Sequence, residues 1–165
     1  MERLWAPWRM AYIEGIPEAE AAGGCIFCER PAQDEDEKNF ILYRSSRSYI
    51  ILNLFPYSNG HLLIAPYEHV AELEDLPAET ISDMMALAAL AVRALKAAWS
   101  PEAFNIGLNL GRAAGAGIDT HLHIHVVPRW AGDTNFMPVL ADTKVVPQAL
   151  EDTYAVIRKA IENLD

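Results

Sequence analysis

Seven residues, His121-Leu122-His123-Ile124-His125-Val126-Val127, constrain the fold more than any other stretch. In an extended strand successive side chains alternate between faces. All three imidazoles then leave one face, while Leu122, Ile124 and Val126 leave the other. The apolar face demands a core. The histidine face needs polar company, because rings that titrate near neutrality are costly to align on a face that does nothing. Two chemistries suit such a row. One is zinc ligation, to which an H-x-H on a strand supplies two ligands. The other is nucleophilic catalysis by an imidazole whose neighbours fix its tautomer and hold an oxyanion.

The remaining sequence predicts a scaffold around that strand. Phe40–Tyr43, Tyr49–Leu54 and His61–Ala65 are short β-prone runs. The turn cluster Pro56-Tyr57-Ser58-Asn59-Gly60 joins the latter two as an antiparallel pair. Pro77–Trp99 predicts a helix rich in Ala, Met and Leu, with Pro77 in its first turn and Pro101 beyond its end. Ile81, Met84, Met85, Ala88 and Leu95 give it a wide apolar face. A strand follows over Phe104–Leu110, then a Gly- and Ala-rich loop over Gly111–Gly117. Pro128 closes the histidine strand, and Pro147–Leu164 predicts the last helix. Residues 1–37 read as an irregular arm, with Trp5 and Trp8 as packing anchors and the acidic run Asp34–Glu37 as a solvated loop. Strands grouped between helices favour an α+β fold with an antiparallel sheet, and 165 residues suit one domain.

Charge and cysteine usage narrow the function. A net charge of −10 disfavours nucleic-acid and membrane-surface partners, although a small pocket can still be locally positive toward an anionic substrate. The longest charge-free apolar run, Met84–Val92, is far short of a membrane span, and the first residues lack the apolar core of a secretion signal. A cytoplasmic location is expected. The two cysteines form Cys25-Ile26-Phe27-Cys28, which points to metal or redox chemistry rather than to a disulfide scaffold.

These motifs together resemble the histidine-triad superfamily of nucleotide hydrolases and transferases. His-Leu-His-Ile-His-Val-Val is similar to its signature, and Asn53 followed by Gly60-His61-Leu62-Leu63-Ile64-Ala65-Pro66 is similar to its strand-turn-strand. Pro66-Tyr67-Glu68-His69 and the C-x-x-C resemble its zinc-bearing branch. Leu4-Trp5-Ala6-Pro7-Trp8-Arg9 and Val127-Pro128-Arg129-Trp130 resemble the bacterial diadenosine tetraphosphate phosphorylases within it.

The resemblance implies a five-stranded antiparallel sheet with flanking helices, and a homodimer whose sheet continues across the two-fold. It implies His123 as a nucleophile that attacks the α-phosphorus of a nucleotide and carries a covalent nucleotidyl group. His125 would donate to phosphate oxygens, His61 would join the histidine network and Asn53 would hold the ribose. Asn109, Arg112, Gly117 with its loop, and Trp130 are further candidates for substrate contact, and Leu52 and Phe40 are candidates for a base pocket or plain core. A structural zinc would be held by Cys25, Cys28, His69 and His121. Many hydrolases of the superfamily carry Gln at the position of Gly117, so its loss favours inorganic phosphate over water as the acceptor. The readings that compete are hydrolysis of dinucleoside polyphosphates or nucleoside phosphoramidates, a metallohydrolase in which His121 and His123 ligate a catalytic zinc, and a nucleotide-binding module without turnover.

Overall fold

The computed structural model describes residues 24–133 and 148–164. Trp5 and Trp8 lie outside the described residues. Nine elements carry the argument: α1 (Ile26–Ala32), α2 (Asp36–Asn39), β1 (Ile41–Arg44), β2 (Ser48–Leu52), β3 (Leu62–Pro66), α3 (Ala78–Trp99), β4 (Ala103–Leu108), β5 (Ile124–Arg129) and α4 (Leu150–Glu162). The strands form one antiparallel sheet in the order β1-β2-β3-β5-β4.

The two middle strands of the first half, β2 and β3, are buried along their whole length. Their register explains why. Ile50 pairs with Ile64 and Leu52 with Leu62, and these face the helices. Tyr49 pairs with Ala65 and Ile51 with Leu63, and these face Phe27 of α1. Strands buried on both faces read as continuous apolar runs, as both do here.

On the helical face, Leu42, Ile50, Leu62, Ile64, Ile124 and Val126 meet Met84, Ala91 and Leu95 of α3 and Ile157 of α4. Helix α3 begins after Pro77 and stops at Ser100, which is left-handed, just before Pro101. Two bonds tie α4 to the sheet: the Tyr154 hydroxyl donates to the Ile41 carbonyl at 3.1 Å, and Arg158 donates to the Leu42 carbonyl at 2.7 Å. Among the described residues no helix is long and apolar enough to cross a membrane.

Among the described residues, cover on the opposite face lies over its β1–β3 half. There α1 is pinned by the Tyr49 hydroxyl, which donates to the Phe27 carbonyl at 2.7 Å. Arg44 holds α2 through a forked pair with Asp36 and reaches α1 through the Pro31 carbonyl at 2.9 Å. Residues 26–39 therefore correct the expectation of an irregular arm, and Asp36 is braced rather than part of a solvated loop. The β4–β5 half carries an open groove of about 400 Å³.

Strand β5 also departs from expectation. It starts at Ile124, so His121 and His123 precede it, and it continues through Pro128 to Arg129. Strand β3 pairs β5 only through Leu62, Leu63 and Ile64. Beyond Val126 the strand has β4 alone as a neighbour, a setting that tolerates proline.

Candidate active site and metal centre

Gly60 places the first histidine. It takes φ +75 at the turn into β3, and a Cβ there would stand 2.8 Å from the Trp99 ring. His61 follows and is fully buried. The Asn53 Oδ1 accepts the Phe55 N–H at 2.9 Å, which turns its Nδ2 toward His61 Nδ1 at 3.1 Å. The Tyr57 N–H donates to the same nitrogen at 3.0 Å. Two donors on Nδ1 leave it no proton, so neutral His61 carries its proton on Nε2. That atom is 3.0 Å from His125 Nδ1 and donates to it. The proton of neutral His125 then sits on Nε2, where Asn109 Nδ2 at 3.4 Å is a second donor facing the same space and not an acceptor for it. A one-way chain of donors thus runs from the turn to the outer nitrogen of His125.

His123 is held separately. Its Nδ1 lies 2.8 Å from the His121 carbonyl oxygen and donates to it, leaving the lone pair on Nε2. Burial lowers its pKa below the ordinary histidine value, while the His121 carbonyl opposes that shift. The ring is neutral at physiological pH. It packs between Phe27, at 4.7 Å between centroids, and His125, at 4.9 Å. As expected from alternation, His121 and His123 lie on the Phe27 side, whereas Leu122, Ile124 and Val126 enter the core beneath the helices.

The first histidine of the row, His121, turns to the cysteines. The His121 Nε2–H donates to the Pro66 carbonyl at 3.0 Å, so its Nδ1 lone pair points away. That Nδ1 is 3.3 Å from Cys25 Sγ, 3.6 Å from Cys28 Sγ and 3.3 Å from His69 Nδ1. All four ligand atoms lie within 4.8 Å of one another. Tetrahedral zinc bonds set N···N edges of about 3.3 Å and N···S edges of about 3.5 Å, so the donor set fits zinc. The Pro66 contact is the outer hydrogen bond that orients a metal-binding histidine. Burial, with His69 and His123 adding to it, pulls the His121 pKa down to about 4. Burial and the neighbouring Cys25 push the Cys28 thiol up to about 11. Packed together without a cation, such groups resist charging; a divalent ion reverses this by favouring thiolates.

The model of the HIT domain matches residues 34–132. The chain belongs to the HIT domain family. Among HIT relatives, it is 43% identical over 158 residues to the AP-4-A phosphorylase of Mycobacterium tuberculosis, covering 93% of this chain and 80% of that protein. It is 33% identical over 105 residues to an adenosine 5'-monophosphoramidase of Saccharomyces cerevisiae, covering 64% and 62%. A zinc-bound histidine triad family protein from Mycobacterium smegmatis superposes with a TM-score of 0.70 at 29% identity, covering 86% of this chain and 96% of that one.

The HIT framework brings together His61, His123, His125, Asn53 and Asn109, and separately Cys25, Cys28, His69 and His121. Arg112 is exposed and paired with Asp119 at 2.7 Å, and Gly117 sits in the same partly exposed loop. Trp130 does not line the groove; its N–H donates to the Asp133 carboxylate. Leu52 is buried in the core, and Phe40 packs against that core with its ring edge-on to Tyr154. Two residues of the HIT site escaped sequence reasoning. Tyr57 supplies a backbone donor to His61 and stacks its ring on His125 at 5.9 Å. Phe27 sits inside the C-x-x-C and touches His121 and His123. Its position between the two cysteines was the available signal.

Proposed function

We propose that the chain is a nucleotidyltransferase that cleaves dinucleoside polyphosphates, with diadenosine tetraphosphate as substrate and inorganic phosphate as acceptor. The observation that carries the reading is the His123 tautomer: with Nδ1–H committed to the His121 carbonyl, the Nε2 lone pair is available to attack phosphorus. The name of the M. tuberculosis relative supports the choice of substrate.

In the first step Nε2 of His123 bonds to the α-phosphorus, the bridging P–O bond breaks, and ATP leaves with that electron pair. In the second step a phosphate oxygen attacks the same phosphorus, the P–N bond breaks, and ADP leaves. His125 donates its Nε2–H to the phosphate oxygens as charge builds on them. His61 fixes the His125 tautomer, and Asn53 positions His61. Asn109 and the backbone of the Gly111–Gly117 loop receive the phosphate. Zinc held by Cys25, Cys28, His69 and His121 would supply structure rather than reaction chemistry. Four protein donors would fill a tetrahedral ion and leave it no position for a catalytic water, which disfavours the metallohydrolase reading. We also place the protein in the cytoplasm as a homodimer, in keeping with two cysteines that are not disulfide-bonded and with β4, an edge strand whose Ile106 is exposed.

The S. cerevisiae relative favours a second reading, hydrolysis of nucleoside phosphoramidates. Assays with and without inorganic phosphate, followed by separation of the nucleotides, decide between acceptors. Phosphate-dependent ADP supports phosphorolysis. AMP and ATP formed at a rate indifferent to phosphate overturn it in favour of hydrolysis, and turnover restricted to phosphoramidates favours the second reading.

A further inference from the structure

The groove on the open half of the sheet starts at His125 and ends at a cluster that the chemistry at His123 does not use. Along β5, His125, Val127 and Arg129 share the face of the histidine row. On β4, Gly107 stands opposite His125 and Asn105 opposite Val127. Gly107 leaves the floor bare, since a Cβ there would meet nothing within 4 Å. At the far end Arg129 donates through Nε and Nη2 to Asp133, at 2.5 and 2.9 Å, and through Nη1 to the Asn105 Oδ1 at 2.9 Å. The carboxylate takes one edge of the guanidinium and is the less exposed partner, at 14% against 42%. Of the roughly five N–H donors that an arginine carries, about two remain for a ligand in the groove.

The bond to Asn105 holds the guanidinium back over the groove, one pleat beyond His125, which is ~7 Å along the strand. A single phosphate beside His125 does not span that distance, whereas a polyphosphate chain does. His123 is closed on its other side by the buried Phe27 ring, so among the described residues the groove is the polar route open to a multiply charged leaving group.

We propose that Arg129, braced by Asp133 and Asn105, binds the distal phosphates of the leaving nucleotide and so selects substrates with long phosphate chains. The inference rests on the function proposed above. Arg129 is a specificity residue in this scheme and takes no part in bond making.

Steady-state kinetics on diadenosine tetraphosphate and on diadenosine triphosphate test it, together with inhibition by AMP, which occupies the His123 end alone. Arg129→Met should raise KM for the tetraphosphate by about 10- to 100-fold, the loss expected for charge-assisted hydrogen bonds, with kcat less affected. The preference for tetraphosphate over triphosphate should narrow, and the AMP inhibition constant should move far less than KM. Asn105→Ala should act in the same direction but more weakly, because Asp133 still holds the guanidinium. An unchanged KM, or equal weakening of tetraphosphate and AMP, overturns the inference while leaving the proposed function intact. Wild-type protein without polyphosphate turnover overturns both.

Discussion

The nitrogen Nδ1 of His123 donates to the backbone carbonyl of His121 at 2.8 Å, while the ring of that same His121 faces two cysteines and His69. One residue therefore serves both centres. Its main chain sets the tautomer of the proposed nucleophile, and its side chain belongs to the metal-binding cluster. The two sites are neighbours in the chain and share a rigid link, so damage to the cluster reaches His123 without any substrate contact.

Replacement of the nucleophile should separate binding from chemistry. His123→Ala is expected to lower kcat by on the order of 10³-fold or more, since the group that makes and breaks the bond is gone. Nucleotide affinity should stay within a few-fold, because base, ribose and phosphate contacts lie elsewhere. Mass spectrometry of acid-free quenched wild-type protein should show one added nucleotidyl group, mapping to His123. Near-normal turnover by the variant would rule out the covalent route.

The donor chain behind His125 should be graded. His61→Ala removes the proton donor to His125 Nδ1 and should cost activity on the order of 10²-fold, the usual scale for a misdirected acid–base partner. Asn53→Ala removes one of two donors on His61 Nδ1, and the Tyr57 N–H remains. Its effect should be only several-fold. Measured kcat values for the two variants in the opposite order would contradict the assigned tautomers.

Metal analysis of protein purified without chelator should give about one zinc per chain, as four converging donors require. Chelation should lower the melting temperature more than it lowers the rate per folded molecule. Cys28→Ser should reproduce the loss of stability, and added zinc should not restore it. Full stability after complete metal removal would count against a structural role.

A side chain at the Gly60 turn should be poorly tolerated. Gly60→Ala places a methyl against Trp99 at 2.8 Å and Leu95 at 3.0 Å, at a backbone angle that disfavours L-residues. The combined strain and overpacking should cost about 1–3 kcal/mol, read from denaturant unfolding. Because His61 is the next residue, kcat should fall with it. An unchanged midpoint would mean that the turn relaxes freely.

Much of the fold was legible because its signals are local. The helix over Pro77–Trp99 is observed from Ala78 to Trp99, and each expected strand is found within a few residues of its predicted position. Alternation alone placed Leu122, Ile124 and Val126 in the core. Helices α1 and α2 were not legible. The first has only seven residues and contains Pro31, and its hold on the sheet comes from the distant Tyr49. The second depends on Arg44, eight residues away, to brace Asp36. Propensity cannot report such tertiary partners. In the site, residue type and spacing carried the family resemblance, and it was the resemblance that implied His61 in the histidine network and His121 with the cysteines. The backbone donor of Tyr57 carries no mark in the sequence, since every residue but proline offers the same N–H. Arg112 drew notice as a cation beside glycines, but the nearer carboxylate of Asp119 engages it.

The span of the metal-binding cluster has a consequence for the unfolded chain. Cys25 and His121 are separated by 96 positions, so an ion that grips both closes a loop around β1, β2, β3, α3 and β4. Loop-closure entropy grows only slowly with length, but a ring of this size sits at the favourable end of that scale. A bound ion that outlasts unfolding would narrow the random-coil ensemble most where the native structure needs no help, in the long stretch between its ligands. Refolding from such a tethered state should start with the β5 end already near α1, whereas refolding from the metal-free coil must first find that meeting by diffusion.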